Sequence, residues 1–96
     1  MNKNNLFSLQ TITINELGMH ARPAAKIAEM AMEAKGEVHL SNGSSTVNAS
    51  SIIDILTLCA VKGTRISIQV DFIEDQGIME KIKAFFDIGF GELSNE

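Results

Sequence analysis

The chain has 96 residues, 45% of them hydrophobic and 21% charged, and a net charge of −4. That length holds one domain around one core, spanning 1–96, and the composition is that of a folded globular chain rather than a disordered one. The eight lysines and arginines form no basic block of the kind nucleic acid requires, and the single cysteine excludes an internal disulfide or a Cys/His zinc cluster. No apolar run approaches the ~20 residues of a membrane span. The polar opening at residues 1–5 lacks the apolar stretch of about 7–15 residues that marks a secretory signal. A cytoplasmic protein without metal or cofactor is therefore expected.

Residues 6–14 mix Thr, Ile, Leu and Phe with polar residues, which predicts a first strand. Phe7, Leu9, Thr11 and Thr13 share one face while Ile12 and Ile14 share the other, so a bulge or burial on both sides is expected. Asn15-Glu16-Leu17-Gly18 then carries turn chemistry.

Strong helix formers fill residues 21–34, and Ala24, Ile27, Ala28, Ala31 and Ala34 recur at the spacing of one helical face. Pro23 suits the first turn, where its missing N–H has no intrahelical partner. The helix is expected to start at about Arg22, with His20 just outside it and Lys35-Gly36 closing it. A histidine so placed has a helix start, an arginine and free amides around it, which is what a phosphoryl acceptor needs.

Residues 37–40 alternate for a short strand, and His39 on its polar side is expected to be exposed. Asn42-Gly43 marks a hairpin whose returning strand is 46–48. A second helix is predicted over about 51–60, with Ile52, Ile55, Leu56 and Cys59 as its buried face and Ile53 off that stripe. Ser51 followed by Asp54 matches a capping box, in which serine and acid each satisfy the other's backbone N–H. Residues 65–70 alternate for a fourth strand. Glu74 and Asp75 open a last helix carrying Ile78, Ile82, Phe85 and Phe86, and Phe90 joins those two phenylalanines in a core cluster. The order β-α-β-β-α-β-α, with one wet sheet face, predicts an α+β two-layer sandwich.

Gly18-Met19-His20-Ala21-Arg22-Pro23-Ala24 strongly resembles the active-site motif of the histidine-containing phosphocarrier family, HPr. Thr46-Val47-Asn48-Ala49-Ser50-Ser51-Ile52-Ile53 resembles that family's second marked segment, and Phe90-Gly91-Glu92 resembles its ending. The resemblance implies an open-faced four-stranded antiparallel sheet of order 1-4-2-3, with three helices on one face. It further implies a phosphocarrier of the sugar phosphotransferase system, not itself an enzyme. Enzyme I, charged from phosphoenolpyruvate, would phosphorylate Nδ1 of His20, Arg22 would stabilise the group, and an enzyme IIA would receive it. Ser51 matches a serine that a bifunctional HPr kinase/phosphorylase modifies in some members. Met19, Ile52 and Ile53 match the docking surface, and Asp54 departs from the small or basic residue usual there, placing acid beside partners that are themselves acidic.

A monomer is expected. Two other readings stay open: a carrier of the nitrogen-related branch, and a binding regulator controlled through Ser51 that docks a transcription regulator or enzyme. An independent enzyme is the weakest reading, since no nucleophile triad, metal cluster or Gly-rich phosphate loop accompanies His20.

Overall fold

A computed structural model describes residues 7–93. The strands are β1 (Ser8–Ile12), β2 (Val38–Ser41), β3 (Thr46–Asn48) and β4 (Arg65–Val70), and the helices α1 (Ala21–Ala31), α2 (Ile52–Leu56) and α3 (Gln76–Asp87). Single 3₁₀ turns at Ile73–Asp75 and Gly89–Gly91 flank α3. The sheet has order β1-β4-β2-β3, antiparallel throughout, as the resemblance implied.

Register explains why one sheet face is covered. Thr11 pairs with Ile66, and Leu40 pairs with both Ile68 and Val47, so the inward row is almost wholly aliphatic. The intervening Gln10, Ser67, Gln69 and His39 form the polar face. Against the inward row lie Ala24, Ile27 and Ala28 of α1, Ile55 of α2, and Met79, Ile82 and Phe86 of α3, all buried. The alanines let α1 approach closely, while a side chain as large as Phe86, with no exposed surface, contributes roughly 1.5–3 kcal/mol by burial. Phe90 packs its ring on both Phe85 and Phe86, with centroids 5.1 and 4.9 Å away.

Several expected boundaries shift. The first strand is Ser8–Ile12; Leu6 lies outside the described residues. It has one buried face, carrying Thr11 and Thr13, while Ile12 is 41% exposed, so two-sided burial does not occur. Helix α1 ends at Ala31 rather than at Ala34, because Glu33 and Ala34 donate to Met30 and Ala31 in tightened last-turn bonds. The buried Asp75 carboxylate then takes the Lys35 and Gly36 amides, each at 2.8 Å, and ties that turn to the start of α3. Helix α2 is also shorter than expected. Leu58 and Cys59 donate to Ile55 and Leu56 in three-residue turns, Leu58 falls over Ile55, and Cys59 leaves the helical path at a left-handed φ of +50°. Leu58 is therefore buried and Cys59 exposed, which corrects the expectation for that cysteine; Ile52 too is partly exposed. His39 is only half-exposed and has a partner, with Nε2 lying 3.1 Å from Glu37 Oε1.

Candidate functional site

The site forms where α1 begins. Gly18 holds a φ of +70° and lies so close to the end of the α2 segment that a Cβ there would sit 2.6 Å from the Ala60 carbonyl oxygen. The Met19 N–H donates to the same carbonyl at 2.8 Å. This double contact fixes the chain just before His20, which is the N-cap residue of α1 in extended conformation. The His20 side chain makes no capping hydrogen bond, and Pro23 has no N–H to satisfy, so among the described residues the Ala21 and Arg22 amides point outward with the positive end of the helix dipole.

Across from this helix start stands Glu92. Its Oε2 lies 2.8 Å from His20 Nε2, and the same oxygen accepts from Arg22 Nη2 at 2.5 Å and Nε at 3.1 Å. Arg22 Nη2 also donates to the Phe90 carbonyl at 2.7 Å. Glu92 Oε1 accepts from Asn15 Nδ2 at 2.8 Å. The Arg22 guanidinium, working against burial and aided by Asn15 and His20, holds the Glu92 carboxyl below the usual carboxylate range. An ionised carboxylate only accepts, so Nε2 of His20 carries a proton, and in the neutral ring the lone pair is then on Nδ1. The imidazole side chain is 35% exposed, open to a partner yet anchored on one nitrogen. Arg22, 55% exposed, is held by the same carboxylate that anchors the ring.

Beside the site, between α1 and α2, runs an open groove of about 720 Å³ whose lining includes Arg22, Lys26, Met32, Ser51, Ile52 and Ile53. Ile53 is 74% exposed. Of the residues singled out in the sequence, Arg22, Ser51, Ile52 and Ile53 thus meet on one surface. Met19 is partly buried against the core, and Asp54 is exposed outside the groove's lining. Ser51 Oγ accepts from the Asp54 amide at 3.2 Å, whereas the Ser51 N–H donates to the Asn48 carbonyl. Only half of the expected capping box is therefore made. Among the described residues no group of acidic, histidine and cysteine side chains could hold a metal ion, and no helix is long and apolar enough to cross a membrane.

The sequence reading named Asn15 as a turn former and Glu92 within the chain's ending, and gave neither a role at the site. Glu92 stands 72 positions from His20, where no local spacing reveals it. Asn15 had a signal: it follows Thr11 and Thr13 on the inward alternation, and an amide on a buried face calls for a polar partner.

A sequence model for a family described as the phosphotransferase-system HPr component phosphorylation site matches residues 8–87. The phosphocarrier protein NPr of Klebsiella oxytoca is 40% identical over 85 residues, covering 86% of this chain and 94% of that protein. The phosphocarrier protein HPr of Neisseria meningitidis serogroup B is 35% identical over 79 residues, covering 82% and 89%. The crystal structure of an HPr from Thermoanaerobacter tengcongensis superposes with a TM-score of 0.82 at 23% identity, covering 91% of this chain and 98% of that one, which is a likeness of fold.

Proposed function

The chain belongs to the HPr family of phosphotransferase-system phosphocarriers, and from that premise we propose that Nδ1 of His20 accepts the phosphoryl group from phosphorylated enzyme I and yields it to an enzyme IIA. The observation that carries this reading is the convergence of His20 Nε2 and Arg22 on Glu92 Oε2 at an uncapped helix start.

The chemistry follows from that geometry. The Nδ1 lone pair attacks phosphorus while the bond from phosphorus to the donor breaks, through a loose transition state that asks mainly for position and charge compensation. The Nε2 proton stays on the ring, which becomes cationic as the N–P bond forms, and the Glu92 carboxylate balances that charge. The Ala21 and Arg22 amides and the exposed Arg22 guanidinium stand ready for the phosphoryl oxygens. Transfer onward reverses each step, so the carrier needs no metal or base of its own. Ile52, Ile53 and Met19 provide the apolar docking contacts, with Asp54 biasing partner choice, and Ser51 is the regulatory position at the groove's edge. The carrier works as a cytoplasmic monomer.

Incubation with enzyme I, phosphoenolpyruvate and Mg²⁺ should place one acid-labile phosphate on the protein and none on His20→Ala. Labelling that survives His20→Ala would overturn the assignment. The identity to the Klebsiella NPr favours a second reading in which the same chemistry serves the nitrogen-related branch. Comparing phosphorylation rates with the two kinds of enzyme I separates them.

A further inference from the structure

Asn15 has no exposed surface, yet it lies on neither of the two motifs that mark the site. Its Nδ2 donates to the Gly18 carbonyl at 2.9 Å and to Glu92 Oε1 at 2.8 Å. Both partners are acceptors, so the amide has one workable orientation: turned over, its oxygen would face a carbonyl and a carboxylate at hydrogen-bond distance. The consequence is visible on the other side, where the buried Oδ1 finds no hydrogen-bond partner among the described residues. A buried oxygen left unsatisfied is costly and uncommon, and here it accompanies two donations aimed at the site.

We infer that Asn15 is a positioning residue for phosphoryl transfer, holding Glu92 through Oε1 so that Oε2 faces His20 Nε2 and fixes the ring tautomer. This rests on His20 being the acceptor. The connection is a relay of hydrogen bonds: Asn15 Nδ2 to Glu92 Oε1, and Glu92 Oε2 to the imidazole and to Arg22. The carboxylate is otherwise carried on the short segment after the Gly89–Gly91 turn. Arg22 restrains only Oε2, so without Asn15 the carboxylate is free to pivot about that oxygen. The same amide ties Glu92 to the Gly18 turn, which is itself packed on Ala60. Asn15 thereby sets the carboxylate in register with the loop that carries the histidine.

The test is a double-mutant cycle read in two ways. Asn15→Ala should slow phosphorylation by enzyme I roughly tenfold, the low end of the scale for partners that orient metal-ligating histidines, and should shift the His20 ring ¹⁵N resonances from one tautomer toward a mixture. In a Glu92→Ala background the same substitution should change neither quantity further, because the relay is already broken. Equal losses in both backgrounds would overturn the inference and leave Asn15 as a turn residue. A second measurement needs no Asn15 variant: the Asn15 side-chain amide resonances should follow the titration of Glu92 in the native protein and lose that response in Glu92→Ala. An amide indifferent to that titration overturns the inference too. The ring resonances report tautomer whether or not phosphate is transferred, so failure of His20 as acceptor shows separately, as an unlabelled but tautomerically fixed ring.

Discussion

Gly18 and Ala60 are in backbone contact: a Cβ on Gly18 would stand 2.6 Å from the Ala60 carbonyl oxygen, at a φ of +70° that side chains rarely adopt. Gly18→Ala therefore adds a clash with immobile backbone to left-handed strain, at a cost of roughly 2 to 4 kcal/mol. Thermal unfolding should show a fall of about 10 °C or more. Phosphorylation should slow even at temperatures where the variant is folded, because His20 follows two residues later.

Glu92 gives the protein a pH signature. Its folded carboxyl lies below the usual range because Arg22 donates to it, so it contributes stability above about pH 4, where the unfolded carboxyl is ionised as well. That contribution is lost as pH falls through the folded value. Glu92→Gln should consequently be less stable than the parent at pH 7 and approach it near pH 3. Urea unfolding at the two pH values checks this, and a difference that grows toward acid would contradict it.

Exposure separates docking from stability on α2. Ile53 is 74% exposed, so Ile53→Asp should move stability by no more than about 0.5 kcal/mol while raising the KM for phosphoryl transfer with enzyme I. Ser51→Ala should do the opposite, losing about 1 kcal/mol with the cap on the Asp54 amide and leaving transfer close to normal. Urea unfolding beside steady-state transfer assays distinguishes the two patterns.

The order of the elements was legible because alternation and turn chemistry act locally, whereas the strand order came only from the family resemblance. Asn42-Gly43 predicts the β2–β3 hairpin, and the alanine stripe predicts the α1 face that meets the sheet. The histidine and arginine were legible for the same reason, lying within one motif at a helix start. Cys59 was misplaced because an α-helical period was carried past Leu56, where the helix ends and Cys59 turns out of it at a φ of +50°. The carboxylate opposite His20 was beyond reach, since only the folded chain brings residue 92 to residue 20, and Asn15 read as a turn former because its second partner is that same distant glutamate.

Cys59 offers a stabilising change. It is exposed with a φ of +50°, a conformation that costs a residue bearing a Cβ about 1 kcal/mol and glycine little. Cys59→Gly just past a helix end should raise stability by roughly 0.5 to 1 kcal/mol, visible as a Tm a few degrees higher. The native thiol should also react with a disulfide reagent without prior unfolding. Resistance to the reagent would contradict its exposed placement.

The strap from Phe90 to Glu92 gives the site a place in time as well as in space. Translation delivers His20 and Arg22 early, but the carboxylate that holds them is made 72 and 70 residues later. A nascent or clipped chain that stops short of Glu92 displays the histidine without the group that fixes its proton and restrains its arginine. On the proposed chemistry, a chain cut before Glu92 should therefore take up phosphate more slowly than one that includes it.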